Sequence, residues 1–122
     1  MFLNIDFSSE LPIYEQIRRQ IILALARGDI DYGYELPSVR NLAADIGVNL
    51  HTVNKAYKLL EEDGIIEIDR RRGSKIVDKS LPIKEEKRED IFENLDFLIS
   101  LSKLKGINKE EMISLVEKIY GF

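Results

Sequence analysis

Residues 36–77 read LPSVRNLAADIGVNLHTVNKAYKLLEEDGIIEIDRRRGSKIV, and their periodicity decides the fold. Val39, Leu42, Ala43 and Ile46 recur at helical spacing behind Ser38, whose hydroxyl suits an N-cap. Gly47 and Val48 supply a turn. Asn49 then caps a second helix that carries Val53, Ala56, Tyr57 and Leu60 inward and stops at Asp63 and Gly64. Two short helices across a glycine-containing turn form a helix-turn-helix. Ile66 and Ile68 next alternate with Glu67 and Asp69, Arg70–Gly73 turns, and residues 74–77 return as a second strand. A helix-turn-helix followed at once by a hairpin is the layout of a winged helix.

Upstream, Leu3, Ile5 and Phe7 alternate with Asn4 and Asp6, which predicts a short edge strand over 3–7. Tyr14, Ile17, Ile21, Ala24 and Leu25 predict a first helix of about 11–27, stopped by Gly28. Residues 28–37 read as a plain connector. Downstream, residues 79–82 look like a linker, with Pro82 restarting a helix that runs to about 105. That helix carries two apolar stripes, one of Ile91, Leu95 and Leu98, the other of Phe97, Leu101 and Leu104. A helix on one core needs a single stripe, so this one is expected to pack on two sides. Asn108 opens a last helix with Met112, Ile113, Leu115, Val116 and Ile119, again too apolar for a solvated element. The expected division is a winged helix-turn-helix over 1–78 and a helical dimerisation region over 79–122, mainly α with one small β-hairpin. Ile91, Leu95, Leu98, Leu101, Leu104, Leu115 and Ile119 are the expected two-fold interface.

Composition narrows the chemistry. The 122 residues contain one histidine and no cysteine, so zinc clusters, thiol catalysis and disulfide frameworks are excluded, and no cofactor or metal is expected. The lone His51 has no nucleophile and orienter beside it, and no phosphate-binding glycine loop is present, so an enzyme is not expected. Apolar runs are too short for a membrane span, and the N-terminal MFLNIDFSSELP lacks a signal-peptide pattern; the expected location is cytoplasmic. Net charge is −4, which taken alone argues against a nucleic-acid partner.

Placement of charge argues the other way. On the second helix of the helix-turn-helix, His51, Asn54, Lys55 and Lys58 share the face opposite the apolar one. Asn and His hydrogen-bond base edges, and Lys reaches bases or phosphates. Leu50 and Thr52 lie in the first turn, where base contacts concentrate; Leu50 suits a thymine methyl. An ordinary solvated face is the competing explanation. The turn 70–75, RRRGSK, holds four cations (Arg70, Arg71, Arg72, Lys75) and no acid, suited to a minor groove or to phosphates, or else a solvated turn that discourages strand pairing. Arg40 reads as a phosphate clamp or as a partner of Asp45 or Glu35. Ser38 reads as a phosphate-binding helix start or as a cap only.

Residues 36–77, with the preceding LPIYEQIRRQIILALARGDIDYGYELPS, resemble the DNA-binding domain of GntR-family transcriptional regulators. The short apolar tail resembles the YtrA-like subfamily, whose effector region is reduced to two dimerising helices. The resemblance implies a homodimeric repressor on a palindromic double-stranded operator, often beside transporter genes. It implies a phosphate grip by Arg40, base contacts from Asn49, Leu50, His51, Thr52 and Asn54, and approach of Gly73 and Arg72 to the minor groove. Leu50 and Asn54 stand where many members carry arginines, so their operator sequences do not transfer. The alternative function is a winged-helix adaptor that binds protein, which has no need of the RRRGSK tip.

Overall fold

The computed structural model describes residues 3–80 and 82–121. In chain order these form α1 (Ile13–Arg27), α2 (Val39–Ile46), α3 (Leu50–Glu62), β1 (Ile66–Asp69), β2 (Gly73–Ile76), α4 (Glu85–Leu104) and α5 (Lys109–Tyr120). The chain divides into two compact units, Met1–Ser80 and Leu81–Phe122. Leu81 of the expected linker lies outside the described residues.

In the first unit α3 is the central element, packed by α1, α2 and β1. Its inward residues Val53, Ala56, Tyr57 and Leu60 are fully buried and meet Ile17 and Ile21 of α1, Leu42 and Ala43 of α2, and Ile66 and Ile76 of the hairpin. Each such large side chain contributes about 1.5–3 kcal/mol on leaving water. The helix ends follow the residues predicted for them. Ser38 accepts from Asn41 N–H at 3.1 Å, and Asn49 accepts from His51 N–H at 2.7 Å. Gly47 ends α2 with φ of +71°, a left-handed conformation that a β-carbon disfavours.

The hairpin is antiparallel, with Ile66 opposite Ile76, Glu67 opposite Lys75 and Asp69 opposite Gly73. It is wider than the sequence indicated, because the connector joins it. Leu36 N–H donates to Ser74 O at 2.9 Å, Ile76 N–H to Tyr34 O at 2.8 Å, and Glu35 bridges Lys75. β2 is therefore flanked on both sides, and Ile30 and Leu36 of the connector are core residues.

The expected strand over 3–7 does not form. Asn4 and Asp6 use their backbone groups on glutamines of α1 instead. Gln20 accepts from Asn4 N–H at 2.9 Å and donates to Asn4 O at 2.7 Å; Gln16 accepts from Asp6 N–H and donates to Asp6 O, both at 2.9 Å. Each primary amide acts as a peptide unit would in a ladder. Alternating residues meet side chains one helical turn apart, so the period-2 pattern is kept without a strand partner.

The second unit differs in kind. α4 starts at Glu85, three residues after Pro82, and α5 is capped by Asn108, which accepts from Glu111 N–H at 2.9 Å. Neither helix contains a buried residue, and the two do not pack along each other. Ile91, Phe92, Leu95, Leu98, Leu101 and Leu115 are all more than 40% exposed, and Leu104 is 81% exposed.

Candidate nucleic-acid interface

The packing of α3 fixes what faces outward. With Val53, Ala56, Tyr57 and Leu60 held in the core, His51, Lys55 and Lys58 are exposed, and Leu50, Thr52 and Asn54 lie half-buried at the margins. The turn 47–49 brings the first turn of α2 beside that of α3. Ser38, Val39, Arg40, Leu50, His51 and Asn54 line one open cleft of about 440 Å³. Two stretches about ten residues apart in sequence, 38–40 and 50–54, thus meet at one concave surface, where the two helix starts contribute partial positive charge.

A hydrogen bond that the sequence reading missed holds this arrangement. Tyr57 donates its hydroxyl to Pro37 O at 2.7 Å, tying the middle of α3 to the residue before the α2 cap. Burial, with a smaller contribution from Tyr34, pushes the Tyr57 phenol well above its ordinary range, so it stays a donor. The signal was available: a tyrosine at a core position needs a partner for its hydroxyl.

Arg40 makes no ion pair among the described residues, so neither Asp45 nor Glu35 takes it up. Lys58, Arg70, Arg71 and Arg72 are likewise without an acidic partner there. The carboxylates near α1 are engaged elsewhere, Asp63 with Arg18 at 2.7 Å and Glu15 with Arg18 and Arg19. The hydrogen bond that Arg18 donates to the Asp63 carboxylate raises the Arg18 pKa further, so that cation is committed to the fold.

Two predicted cations are placed differently. Lys75 points to Asp78, just past the end of β2, at 3.2 Å and lies 4.0 Å from Glu67 of β1, so its charge has acidic partners beside the hairpin. Lys55 sits over the Tyr14 ring, 4.0 Å from its centroid, leaning from the α3 face toward the start of α1. At the hairpin tip Asp69 accepts from Arg71 N–H at 2.8 Å and Arg72 N–H at 3.3 Å, which shapes the turn and leaves the guanidinium groups outward. Gly73 follows at φ +89° with open space around the position a β-carbon would take. Of the predicted interface residues, Ile119 is half-covered and the other six are exposed in the single chain.

Among the described residues no cluster of His, Asp or Glu is arranged to hold a metal ion, and no helix is long and apolar enough to cross a membrane.

Comparison with known proteins agrees with this geometry. Residues 13–76 match the family described as bacterial regulatory proteins, gntR family. The chain is 40% identical over 118 residues to the HTH-type transcriptional repressor YtrA of Bacillus subtilis, covering 96% of this chain and 91% of that one. Among solved structures, a transcriptional antiterminator from Listeria monocytogenes superposes with TM-score 0.83 at 31% identity, over 97% of this chain and 89% of the other. YtrA from Sulfolobus acidocaldarius, a GntR-family transcription factor, superposes with TM-score 0.62 at 40% identity, over 79% and 99%. The chain belongs to the GntR family of transcriptional regulators, and its first unit is the family's DNA-binding winged helix-turn-helix.

Proposed function

We propose that this protein is a cytoplasmic, homodimeric repressor that binds a palindromic operator in double-stranded DNA. Each copy presents α3 to the major groove of one half-site. Asn49, Leu50, His51, Thr52 and Asn54 read base edges, and Lys55 and Lys58 flank them toward the phosphates. Arg40 and the start of α2 at Ser38 grip the backbone, and Arg70, Arg71, Arg72 and Gly73 follow the minor groove. Lys75 contributes least, since Asp78 and Glu67 already neutralise it.

The observation that carries this reading is the cleft in which Arg40, His51 and Asn54 converge from two helix starts, with no acid paired to Arg40 among the described residues. A surface of that kind has a use on a polyanion and none in the core. Dimerisation through α4 and α5 is supported by the apolar residues those helices leave exposed. Control of adjacent transporter genes is supported by the resemblance to the YtrA-like subfamily.

Binding of the protein to DNA upstream of its own gene, followed by fluorescence anisotropy as salt is raised, tests the proposal. The affinity is expected to fall linearly on a log–log plot, with a slope of about −0.9 per phosphate contacted. A salt-independent affinity, or equal affinity for random DNA, overturns it.

A further inference from the structure

We infer that the cleft between the starts of α2 and α3 selects an A·T step: Leu50 and Val39 receive the 5-methyl group of a thymine, and Asn54 pairs with N7 and N6–H of an adenine beside it. The proposal rests on the operator-binding reading and adds which base pairs that surface takes. Its basis is the kind of group the cleft offers. Ser38, Val39, Arg40, Leu50, His51 and Asn54 line it, so two of its side chains are aliphatic. Val39 is packed against the core from outside, whereas Leu50 is half-buried without belonging to that packing. A leucine in the first turn of α3 cannot bond a phosphate or a polar base edge. The one apolar group that the major groove displays is the thymine methyl, which cytosine lacks.

Asn54 stands four residues on from Leu50, on the same face of α3. Four residues of helix rise about 6 Å, less than two base-pair steps of about 3.4 Å, so the two side chains meet pairs that adjoin or nearly adjoin. Among the described residues the Asn54 amide makes no hydrogen bond, so its oxygen and its NH2 are both available. Asn49 differs: its oxygen accepts from His51 N–H at 2.7 Å, which leaves it only a donor. Adenine presents an acceptor at N7 and a donor at N6, the complement of a primary amide. Guanine presents two acceptors, N7 and O6, which call for a cation. The cations of α3 do not line the cleft: Lys55 is drawn over the Tyr14 ring, 4.0 Å from its centroid, and Lys58 lies four residues beyond Asn54. Arg40 does line it, from α2 beside Ser38, the pair assigned above to the phosphate backbone.

The test uses the full chain. Its preferred sequence is first selected from random double-stranded DNA, and that duplex is then remade with single-group changes at matching positions of each half-site. Deoxyuridine for thymine removes only the methyl, 7-deazaadenine for adenine replaces N7 by C–H, and 7-deazaguanine serves as the counter-probe. Anisotropy is expected to show one thymine whose methyl loss weakens binding about fourfold per half-site, the worth of one buried methyl group. Within two base pairs of it, loss of N7 from one adenine is expected to cost about 3–10-fold per half-site. Leu50→Ala then binds the thymine and deoxyuridine duplexes equally, and Asn54→Ala binds the adenine and 7-deazaadenine duplexes equally, both with the wild-type salt slope.

Deoxyuridine without effect at every thymine overturns the proposal with the native chain alone, whether or not the variants fold. A methyl penalty that survives Leu50→Ala, or a 7-deazaguanine penalty that Asn54→Ala removes, overturns it too and leaves operator binding standing. A chain that enriches no sequence defeats the operator reading itself, and this one with it.

Discussion

Replacing Tyr57 with Phe removes one oxygen from the centre of the first unit. That oxygen is a fully buried side chain's only polar atom, and it donates to Pro37 O at 2.7 Å. Loss of a hydrogen bond of this kind costs about 1 kcal/mol net, rising to about 2 kcal/mol if Pro37 O is left dry. The ring is retained, so no cavity opens beyond the hydroxyl. For a unit of this size 1 kcal/mol corresponds to about 4–8 °C in melting temperature.

The same residue makes a separate prediction with pH. Its folded-state pKa is raised by burial, so the unfolded chain gives up the phenolic proton first as pH climbs. Between the unfolded value near 10 and the raised folded value, the unfolded state binds fewer protons, and stability falls as pH rises. The slope approaches about 1.4 kcal/mol per pH unit, which amounts to about 1 kcal/mol between pH 10 and 11. The Phe variant lacks this group, so its stability declines less over the same interval. Urea denaturation of both proteins at pH 8, 10 and 11, followed by far-ultraviolet circular dichroism, measures the difference directly. The variant should start about 1–2 kcal/mol below wild type at pH 8 and close most of that gap by pH 11. Parallel curves across the interval would refute the placement of a protonated, buried Tyr57.

Gln16→Leu removes the acceptor and donor that hold Asp6, together with the bond to Leu11 O, and should cost about 2 kcal/mol; hydrogen exchange at the Asp6 amide is expected to become fast. Gly73→Ala places a β-carbon at φ +89° in open space, so strain of about 1–2 kcal/mol is expected at the hairpin tip, read as weaker DNA binding and a melting temperature lowered by at least about 4 °C. Replacing Arg70, Arg71 and Arg72 with Ala should weaken operator and random DNA alike and reduce the salt slope by up to about three, as anisotropy titrations would record. Asn54→Ala should instead cost about 1–3 kcal/mol on the operator and little on random DNA, measured by competition binding.

The first unit was largely legible because its signals are local. Apolar spacing behind a capping residue located α2 and α3, and the caps Ser38 and Asn49 make the hydrogen bonds their positions implied. Features carried by long-range pairing were not legible. Nothing in the sequence 33–36 says that it will lie along β2, because the partner is 40 residues away and the stretch alternates only weakly. The segment 3–7 shows the opposite failure. Its alternation is real, but the groups that satisfy its backbone are the side chains of Gln16 and Gln20, and periodicity cannot tell a strand from a side-chain amide as the partner. The division of labour among the cations was equally hidden. Arg72 and Lys75 are neighbours in one basic run, yet the register of the hairpin sets Lys75 opposite Glu67 and turns Arg72 into the tip.

That division resolves the objection raised by the net charge of −4. A total says nothing about which charges are already paired. In the first unit Glu15 and Asp63 neutralise Arg18 and Arg19, and Asp78 with Glu67 neutralises Lys75. Among the described residues, the cations of the first unit without an acidic partner include Arg40 beside the α3 cleft, Lys58 on the α3 face and the three arginines of the turn, together with Arg27 and Lys79 away from them in the sequence. An acidic background around a few unpaired cations disfavours loose contact with any phosphate backbone and leaves tight contact to the places where those cations converge. One such patch supplies few phosphate contacts, and the counterion-release gain scales with their number. Two patches held at a fixed spacing act at high effective concentration once the first is bound. In the homodimer we propose, the acidity of the chain and the exposed apolar faces of α4 belong to one design: affinity for DNA that is small for a single unit and becomes useful only when two are joined.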